Sequence, residues 1–156
     1  MSSSNKIEYE LIKKFWMEDV RPPLMRALEA VPEDRLDWAP SEEMLTLGNI
    51  FMHIAETSNW WIDKIIDNGE FNDLTPCPSL PKAKIKELLD EHWKRLQRFF
   101  DRFPNVLQKI YTRQRQDRVS EYTGEWIMMH LLEHDIHHRS QANQYLRLLK
   151  IPPPQI

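Results

Sequence analysis

The fold of this chain is set by one stretch, Met129-His130-Leu131-Leu132-Glu133-His134-Asp135-Ile136-His137-His138-Arg139-Ser140-Gln141, which holds four of the protein's six histidines. Large apolar residues recur around it at three- and four-residue intervals, and neither Pro nor Gly interrupts residues 125–150. This periodicity predicts a long amphipathic helix. Because residues four apart share one helix face, we expect His130, His134 and His138 to form a single file.

The histidine file coincides with the apolar face of the predicted helix. At about 100° per residue, Ile127, Leu131 and Tyr145 fall on the same arc as His134. Buried imidazoles are costly unless their ring nitrogens are satisfied, and a metal ion is the simplest partner for several of them. A single histidine on such a face is usually a hydrogen-bonded core residue. Four clustered histidines favour metal binding instead.

The rest of the chain has three further helical patterns joined by long connections. They cover residues 6–30, with a break after Val20 because Pro22 and Pro23 remove backbone donors, residues 47–68, capped by Thr46, and residues 81–103. Thr123 is the expected N-cap of the fourth helix. Residues 106–119 are polar with some alternation, which is typical of an extended connection but does not require a strand. We therefore predict a single all-α domain over residues 1–156, an antiparallel four-helix bundle.

Composition excludes several functional classes and indicates a cytoplasmic protein. A length of 156 residues fits one domain, and a net charge of −3 gives no basic footprint for nucleic acid. Local support for nucleic-acid binding comes only from Arg113, Arg115 and Arg118, and such clusters are usually solvated. Cys77 is the single cysteine, so no intrachain disulfide can form, which suits a reducing compartment. No apolar stretch is long enough for a signal core or a membrane span, so we expect no membrane partner.

A metal site of three ligands needs a group from another helix. No His, Asp, Glu or Cys follows His138, so this group must lie upstream. His53 lies near Ile50 on a helix face that must meet the core, whereas His92 has Glu91 as its neighbour and is expected to be solvated. His53 is therefore the stronger candidate, with a hydrogen-bonded core histidine as the alternative. Spacing cannot choose between the pairs His130/His134 and His134/His138, since both are four residues apart.

Three segments of the chain resemble the DinB-like family of bacterial helix-bundle metalloproteins, also called YfiT-like or damage-inducible. They are Trp38-Ala39-Pro40, Thr46-Leu47-Gly48-Asn49-Ile50-Phe51-Met52-His53-Ile54-Ala55-Glu56, and His134-Asp135-Ile136-His137-His138-Arg139-Ser140-Gln141, which leads to Tyr145-Leu146 and Ile151-Pro152. The resemblance extends over nearly the whole chain. It departs from the family pattern at Ser140, where glycine is usual and which lies off the histidine face.

The resemblance implies a ligand set and a substrate class. It implies that His53, His134 and His138 bind the metal, and that His130 and His137 are outer or pocket residues. Some members of the family transfer low-molecular-weight thiols such as bacillithiol or mycothiol onto electrophiles. Three neutral imidazoles leave Zn²⁺ or Ni²⁺ with an open position, as in catalytic sites. The leading hypothesis is therefore a metal-dependent thiol S-transferase in detoxification or stress response.

Two other classes of function stay open at this point. His134-Asp135-Ile136-His137-His138 superficially fits the His-acid-x-x-His motif of metal-dependent hydrolases, with Asp135 as the acid. The second alternative is a non-enzymatic metal-binding stress protein, and the distinction depends on whether the open position faces a cavity. Glu56, one turn from His53, is a candidate for orienting a ligand or moving a proton. A solvated or ion-paired glutamate is the commoner interpretation at such a position.

The opposite side of the fourth helix predicts a homodimer. Met129, Leu132 and Ile136 form a second apolar stripe, about 160–220° from His134. A helix with one core face needs a partner for a second apolar face. That partner is either another segment of the same chain or a second copy in a symmetric pair. We expect the symmetric pair.

Overall fold

The computed structural model describes residues 3–74 and 78–155, so Cys77 lies outside the described residues. Four helical rods and one hairpin make up the described part. The first rod is α1 (Ser3–Phe15), a π-helical turn (Trp16–Val20) and α2 (Arg21–Ala30), and the second is α3 (Leu47–Ser58) with a π-helical segment (Asn59–Ile66). The other elements are α4 (Lys82–Asp101), strands β1 (Ile110–Gln114) and β2 (Val119–Thr123), and α5 (Gly124–Leu148).

The four rods close around one apolar core. Helix α3 contacts α4 and α5, and α2 contacts the same two helices on the other side. The largest fully buried side chains, among them Trp16, Phe51 and Phe99, come from three different rods. Removing such aromatic side chains from water is the main driving force for assembling the bundle. No helix in the described part of the chain is long and apolar enough to cross a membrane.

The predicted starts of two helices are confirmed. The Thr46 hydroxyl accepts a hydrogen bond from the Asn49 amide, and the Thr123 hydroxyl accepts one from the Trp126 amide, each at 3.2 Å. Both threonines thereby satisfy amides that a helix leaves unpaired in its first turn. The predicted break after Val20 is also present. It takes the form of a wider turn, in which each amide reaches five residues back, followed by a new helix with proline in its first positions.

The all-α prediction is incomplete, because β1 and β2 form an antiparallel hairpin. Its register places Tyr111 opposite Tyr122 and Arg113 opposite Ser120. These four residues are partly buried, whereas their neighbours along both strands are exposed. The ring of Tyr122 meets Trp61 edge-to-face at 5.0 Å, which holds the hairpin against the bundle. A mostly polar strand with one half-buried face produces only weak alternation in the sequence.

The prediction that His92 is solvated is wrong. Its side chain is 0% exposed, and its Nε2 lies 2.9 Å from Oδ2 of the equally buried Asp135. The Trp16 indole donates to the same oxygen at 2.8 Å. The charged neighbours Glu91 and Lys94 pair with each other on the outer face of α4, so they gave no information about the inner face. This cluster joins α4, the first π-helical turn and α5.

The second apolar stripe of α5 is largely covered by the chain itself. Leu132 is only 7% exposed, and Ile136 is partly buried against the core. Met129 remains 49% exposed. The surface left for a second copy is therefore smaller than the sequence indicated, and the homodimer stays a prediction.

Replacing His92 with alanine should destabilise the bundle while leaving His53, His134 and His138 in the chain. The change removes one of two donors from the buried Asp135 carboxylate, which should lower the free energy of unfolding by about 2–3 kcal/mol. Urea unfolding of the metal-free protein, followed by circular dichroism, measures this loss. His137→Ala, at an exposed position on α5, is the matched control and should change stability by less than about 0.5 kcal/mol. Equal stability of His92→Ala and wild type would contradict the role assigned to His92.

Candidate metal centre

Helices α3 and α5 bring three of the predicted residues together. His53 comes from α3, and His134 and His138 lie one turn apart on α5. Each offers a nitrogen atom that lies within 4.8 Å of those from the other two residues. The Nε2 atoms of His53 and His134 are 3.2 Å apart. The sequence does not show how close His53 and His134 lie, because their distance depends on the contact of α3 with α5 in the fold.

Hydrogen bonds occupy the Nδ1 atoms of two of the rings and leave Nε2 as the nitrogen available to a metal ion. Nδ1 of His53 lies 3.4 Å from Oε2 of Glu56, and Nδ1 of His138 lies 2.9 Å from Oε1 of Gln141. Metal-binding histidines commonly use their second nitrogen in this way, to fix the tautomer and the ring orientation. Glu56 thus stands where an orienting role was predicted. Gln141 had no predicted role, although its position three residues after His138 on the same face is a usable signal.

The spacing of the nitrogens suits a divalent metal ion. Two nitrogens that share a tetrahedral Zn²⁺ at 2.0–2.1 Å lie about 3.3 Å apart. The separation between His53 and His134 is already close to this value. The upper limit of 4.8 Å within the set requires only a small side-chain rotation to close. Imidazole nitrogens bind several divalent transition metals, so the three histidines could hold such an ion without choosing among them.

Burial keeps two of these histidines in the form that binds metal. Burial, together with repulsion from His138 and His53, lowers the pKa of His134 to about 2. Burial also lowers the pKa of His138, against the opposing effect of the hydrogen bond to Gln141. A metal ligand must be a neutral imidazole with a free lone pair. His134 therefore carries no positive charge at neutral pH that would repel a metal ion.

Thr57 is a contact of the cluster that sequence reasoning missed. Its hydroxyl donates to the His53 carbonyl at 2.8 Å and lies 3.2 Å from Nε2 of His134. In the metal-free protein, the hydroxyl oxygen can accept a hydrogen bond from Nε2 of His134 when that nitrogen carries the ring hydrogen. The four-residue spacing from His53 was visible in the sequence, but the approach to α5 was not. Thr57 thus links the backbone of α3 to a ring on α5.

A cavity of about 490 Å³ opens beside the cluster. This volume lies within the usual range for small-molecule sites. His53 and His134 line it directly, and His138 does not. The remaining wall is largely aromatic and charged, and includes Glu56, Trp60, Trp61, Phe71, Asp73 and Arg113. Two of the three histidines therefore face a space that a small molecule can enter.

The other residues of the motif lie outside the cluster. His130 lines the cavity and stacks on Trp126 with ring centres 4.8 Å apart, and burial lowers its pKa. His137 is exposed, with its ring edge-on to His138. Asp135, the acid of the hydrolase-like motif, does not line the cavity, because its carboxylate is held by the buried contacts described above. The hydrolase motif therefore lacks its acid on the cavity side.

Comparison with known proteins agrees with this architecture. The sequence model of the DinB family matches residues 1–156. A DinB-like protein from Bacillus cereus is similar in structure, with a TM-score of 0.70 and 18% identity, and YjoA, a DinB-like protein from Bacillus subtilis, has a TM-score of 0.67 and 15% identity. Each match covers 94% of this chain and 96% of the other. No curated protein matches the sequence significantly. At these identities the structural likeness establishes a shared fold.

The metal-free protein should lose stability in mild acid because of His134. Its pKa is lowered in the folded state and near 6.5 in the unfolded chain, so below pH 6.5 only the unfolded chain takes up the proton. The free energy of unfolding should therefore fall by about 1.4 kcal/mol per pH unit for this residue, from about pH 6.5 down to pH 5. Chemical denaturation across this range measures the slope. His134→Gln should reduce the slope by about that amount, and the exposed variant His137→Gln should follow wild type. An unchanged slope in His134→Gln would count against this assignment.

Proposed function

The chain belongs to the DinB family, and we propose that it is a metal-dependent enzyme that transfers a low-molecular-weight thiol of the bacillithiol type onto an electrophile. Such a reaction serves detoxification or stress response. One observation carries the proposal: His53, His134 and His138 converge beside a cavity large enough for a small thiol. A cytoplasmic location and a homodimer belong to the same proposal.

The proposed metal is Zn²⁺ or Ni²⁺, held by Nε2 of each histidine. Three protein ligands leave at least one position open, whereas structural zinc sites are closed by four. Because two of the three histidines face the cavity, the open position can be reached by a substrate. This arrangement supports an enzyme over a metal-binding module without turnover. When bound, the ion supplies a positive charge that favours the thiolate form of an incoming thiol at neutral pH.

Glu56 is the proposed proton acceptor. In the transfer, the thiol sulfur forms a bond to the electrophilic carbon, and the bond from that carbon to its leaving group breaks with the electron pair going to the leaving group. The thiol proton must pass to a base. The Glu56 side chain is only 11% exposed and lines the cavity beside His53. It can therefore both orient His53 and take up this proton before releasing it to solvent.

The aromatic wall of the cavity suits the apolar part of an electrophile. Trp60 and Phe71 meet edge-to-face at 4.9 Å, and Trp61 continues the same wall. Such surfaces pack against flat or apolar groups and displace water from them. Excluding water limits competing hydrolysis of a reactive electrophile. The alternative of a metal-dependent hydrolase has less support, since Asp135 is engaged in the core.

Metal binding should depend on residues from both helices. His53→Ala and His134→Ala should each abolish stoichiometric binding of Zn²⁺ or Ni²⁺, because each removes one of three ligands. Metal analysis after dialysis, together with calorimetric titration, measures the stoichiometry and affinity. His137→Ala removes a histidine from the exposed side of α5 and should bind metal as wild type does. Tight stoichiometric binding by His53→Ala would exclude a site shared between α3 and α5.

The proposed reaction should be detectable as formation of a thioether. Zn²⁺- or Ni²⁺-loaded protein, incubated with low-molecular-weight thiols and a panel of alkyl and aryl halides, should consume the thiol and release halide. Mass spectrometry identifies the thioether product. Metal-free protein is the control for the uncatalysed reaction. Glu56→Gln should slow the reaction by about a hundredfold or more, the usual contribution of a general base. If the metal-loaded protein forms no thioether but hydrolyses ester or amide substrates, thiol transfer is wrong and the protein is a hydrolase.

A further inference from the structure

Arg113 lies in the cavity wall but has no part in the proposed metal chemistry. It is the fourth residue of β1, on the hairpin face that is partly buried against the bundle. The cavity that it lines also contains His53 and His134. Its neighbours Thr112 and Gln114 are exposed. The register of the hairpin therefore places one cation in the same space as the histidine cluster.

The guanidinium group of Arg113 lies over the indole rings of two tryptophans. Its central carbon lies 5.0 Å from the ring centre of Trp60 and 5.9 Å from that of Trp61. Among the described residues, the guanidinium group has no hydrogen bond or ion pair, whereas Arg95, Arg98 and Arg102 each pair with an aspartate, Asp63 or Asp67. Stacking on an indole leaves the N–H groups at the edge of the guanidinium free to donate. These N–H groups can therefore donate hydrogen bonds to a ligand in the cavity.

The acidic residues of the cavity do not supply that acceptor. Glu56 contacts His53 and, like Asp73, takes part in a further interaction. Neither carboxylate lies within ion-pair distance of Arg113. A bound divalent ion and Arg113 together would carry one positive charge more than Glu56 and Asp73 neutralise, which makes the adjoining space more favourable for an anion. The charge balance of the cavity therefore favours an anionic ligand.

We propose that Arg113 determines substrate specificity by binding a carboxylate of the substrate, so that the enzyme acts on anionic substrates whose apolar part packs on Trp60 and Trp61. This inference rests on the proposed thiol transfer, which it deepens by naming a substrate class. A guanidinium fork matches a carboxylate with two parallel hydrogen bonds. The indole stack fixes the orientation of that fork. The carboxylate can belong either to the thiol or to the electrophile, and the two sources are separable by experiment.

Calorimetric titration of the Zn²⁺-loaded protein with matched ligand pairs tests the proposal. In one arm, mercaptoalkanoates from mercaptoacetate to mercaptohexanoate are compared with mercaptoalcohols of the same chain length. In the other, arylalkanoates without a thiol are compared with their primary amides. If the bound carboxylate belongs to the thiol, the mercaptoalkanoates should bind more tightly than the mercaptoalcohols. If it belongs to the electrophile, the arylalkanoates should bind more tightly than their amides. In at least one arm the wild type should bind the carboxylate about tenfold or more tightly than its neutral partner, the usual effect of a charged hydrogen bond.

Substitutions at two arginines separate a specific contact from a general charge effect. Arg113→Gln should remove the preference for carboxylates and leave metal stoichiometry and the circular dichroism spectrum unchanged. Arg113→Lys should keep only part of the preference, because lysine lacks the planar fork. Arg115→Gln is the matched control, since it removes the same charge from an exposed position on the same hairpin. It should retain the preference of wild type.

The outcomes distinguish this inference from the function on which it rests. An equal preference in Arg113→Gln and wild type, or an equal loss in Arg113→Gln and Arg115→Gln, overturns the role of Arg113 and leaves thiol transfer standing. If the wild type shows no preference for carboxylates in either arm, the role of Arg113 is likewise overturned and thiol transfer still stands. If no thiol binds the loaded wild type, thiol transfer fails, whereas the arylalkanoate arm still decides whether Arg113 binds a carboxylate.

Discussion

The buried carboxylate of Asp135 accepts hydrogen bonds from two other parts of the bundle, the indole of Trp16 and the imidazole of His92. A carboxylate without such donors would be too costly to bury, so each contact requires the others. Together they fix the rotation of α5 about its own axis. His134 precedes Asp135 directly, and His138 follows it by three residues. With Asp135 turned towards α4 and the first π-helical turn, these two histidines are turned towards His53 on α3.

Burying the histidine cluster lowers the stability of the folded protein, but it keeps the rings in the neutral form that can bind a metal ion. Imidazoles that are kept neutral by burial forgo favourable hydration of the charged form, and the protein compensates for this through the surrounding core. In return, His134 is uncharged at neutral pH and does not repel a cation. Glu56 and Gln141 accept hydrogen bonds from the two flanking rings, His53 and His138, and hold them in place. The rigid part of the site is therefore built from α3 and α5 alone.

Local patterns in the sequence were enough to predict the helices and their threonine caps, whereas the choice of His138 over His130 came from the family resemblance. The helices and caps depend on spacing within one helix or on which face of a helix meets the core. The partner of Asp135 could not be predicted, because His92 lies 43 residues away on a helix whose charged neighbours concealed its inner face. The hairpin was missed as a pair of strands for a related reason. Pairing depends on register between two weakly alternating segments, and the single-strand signal is small.

The hairpin and the helix bundle contribute differently to the stability of the fold, and this difference affects where the sequence can change. Its strands alternate between exposed and half-buried residues, so few of its side chains contribute to the core that holds the bundle together. Changes there can reshape one wall of the cavity while α3 and α5 keep their geometry. Relatives that retain the fold at 15–18% identity show how far the sequence can drift around such a frame. We expect the segment between α4 and α5 to accept substitutions more readily than the inner faces of α3 and α5.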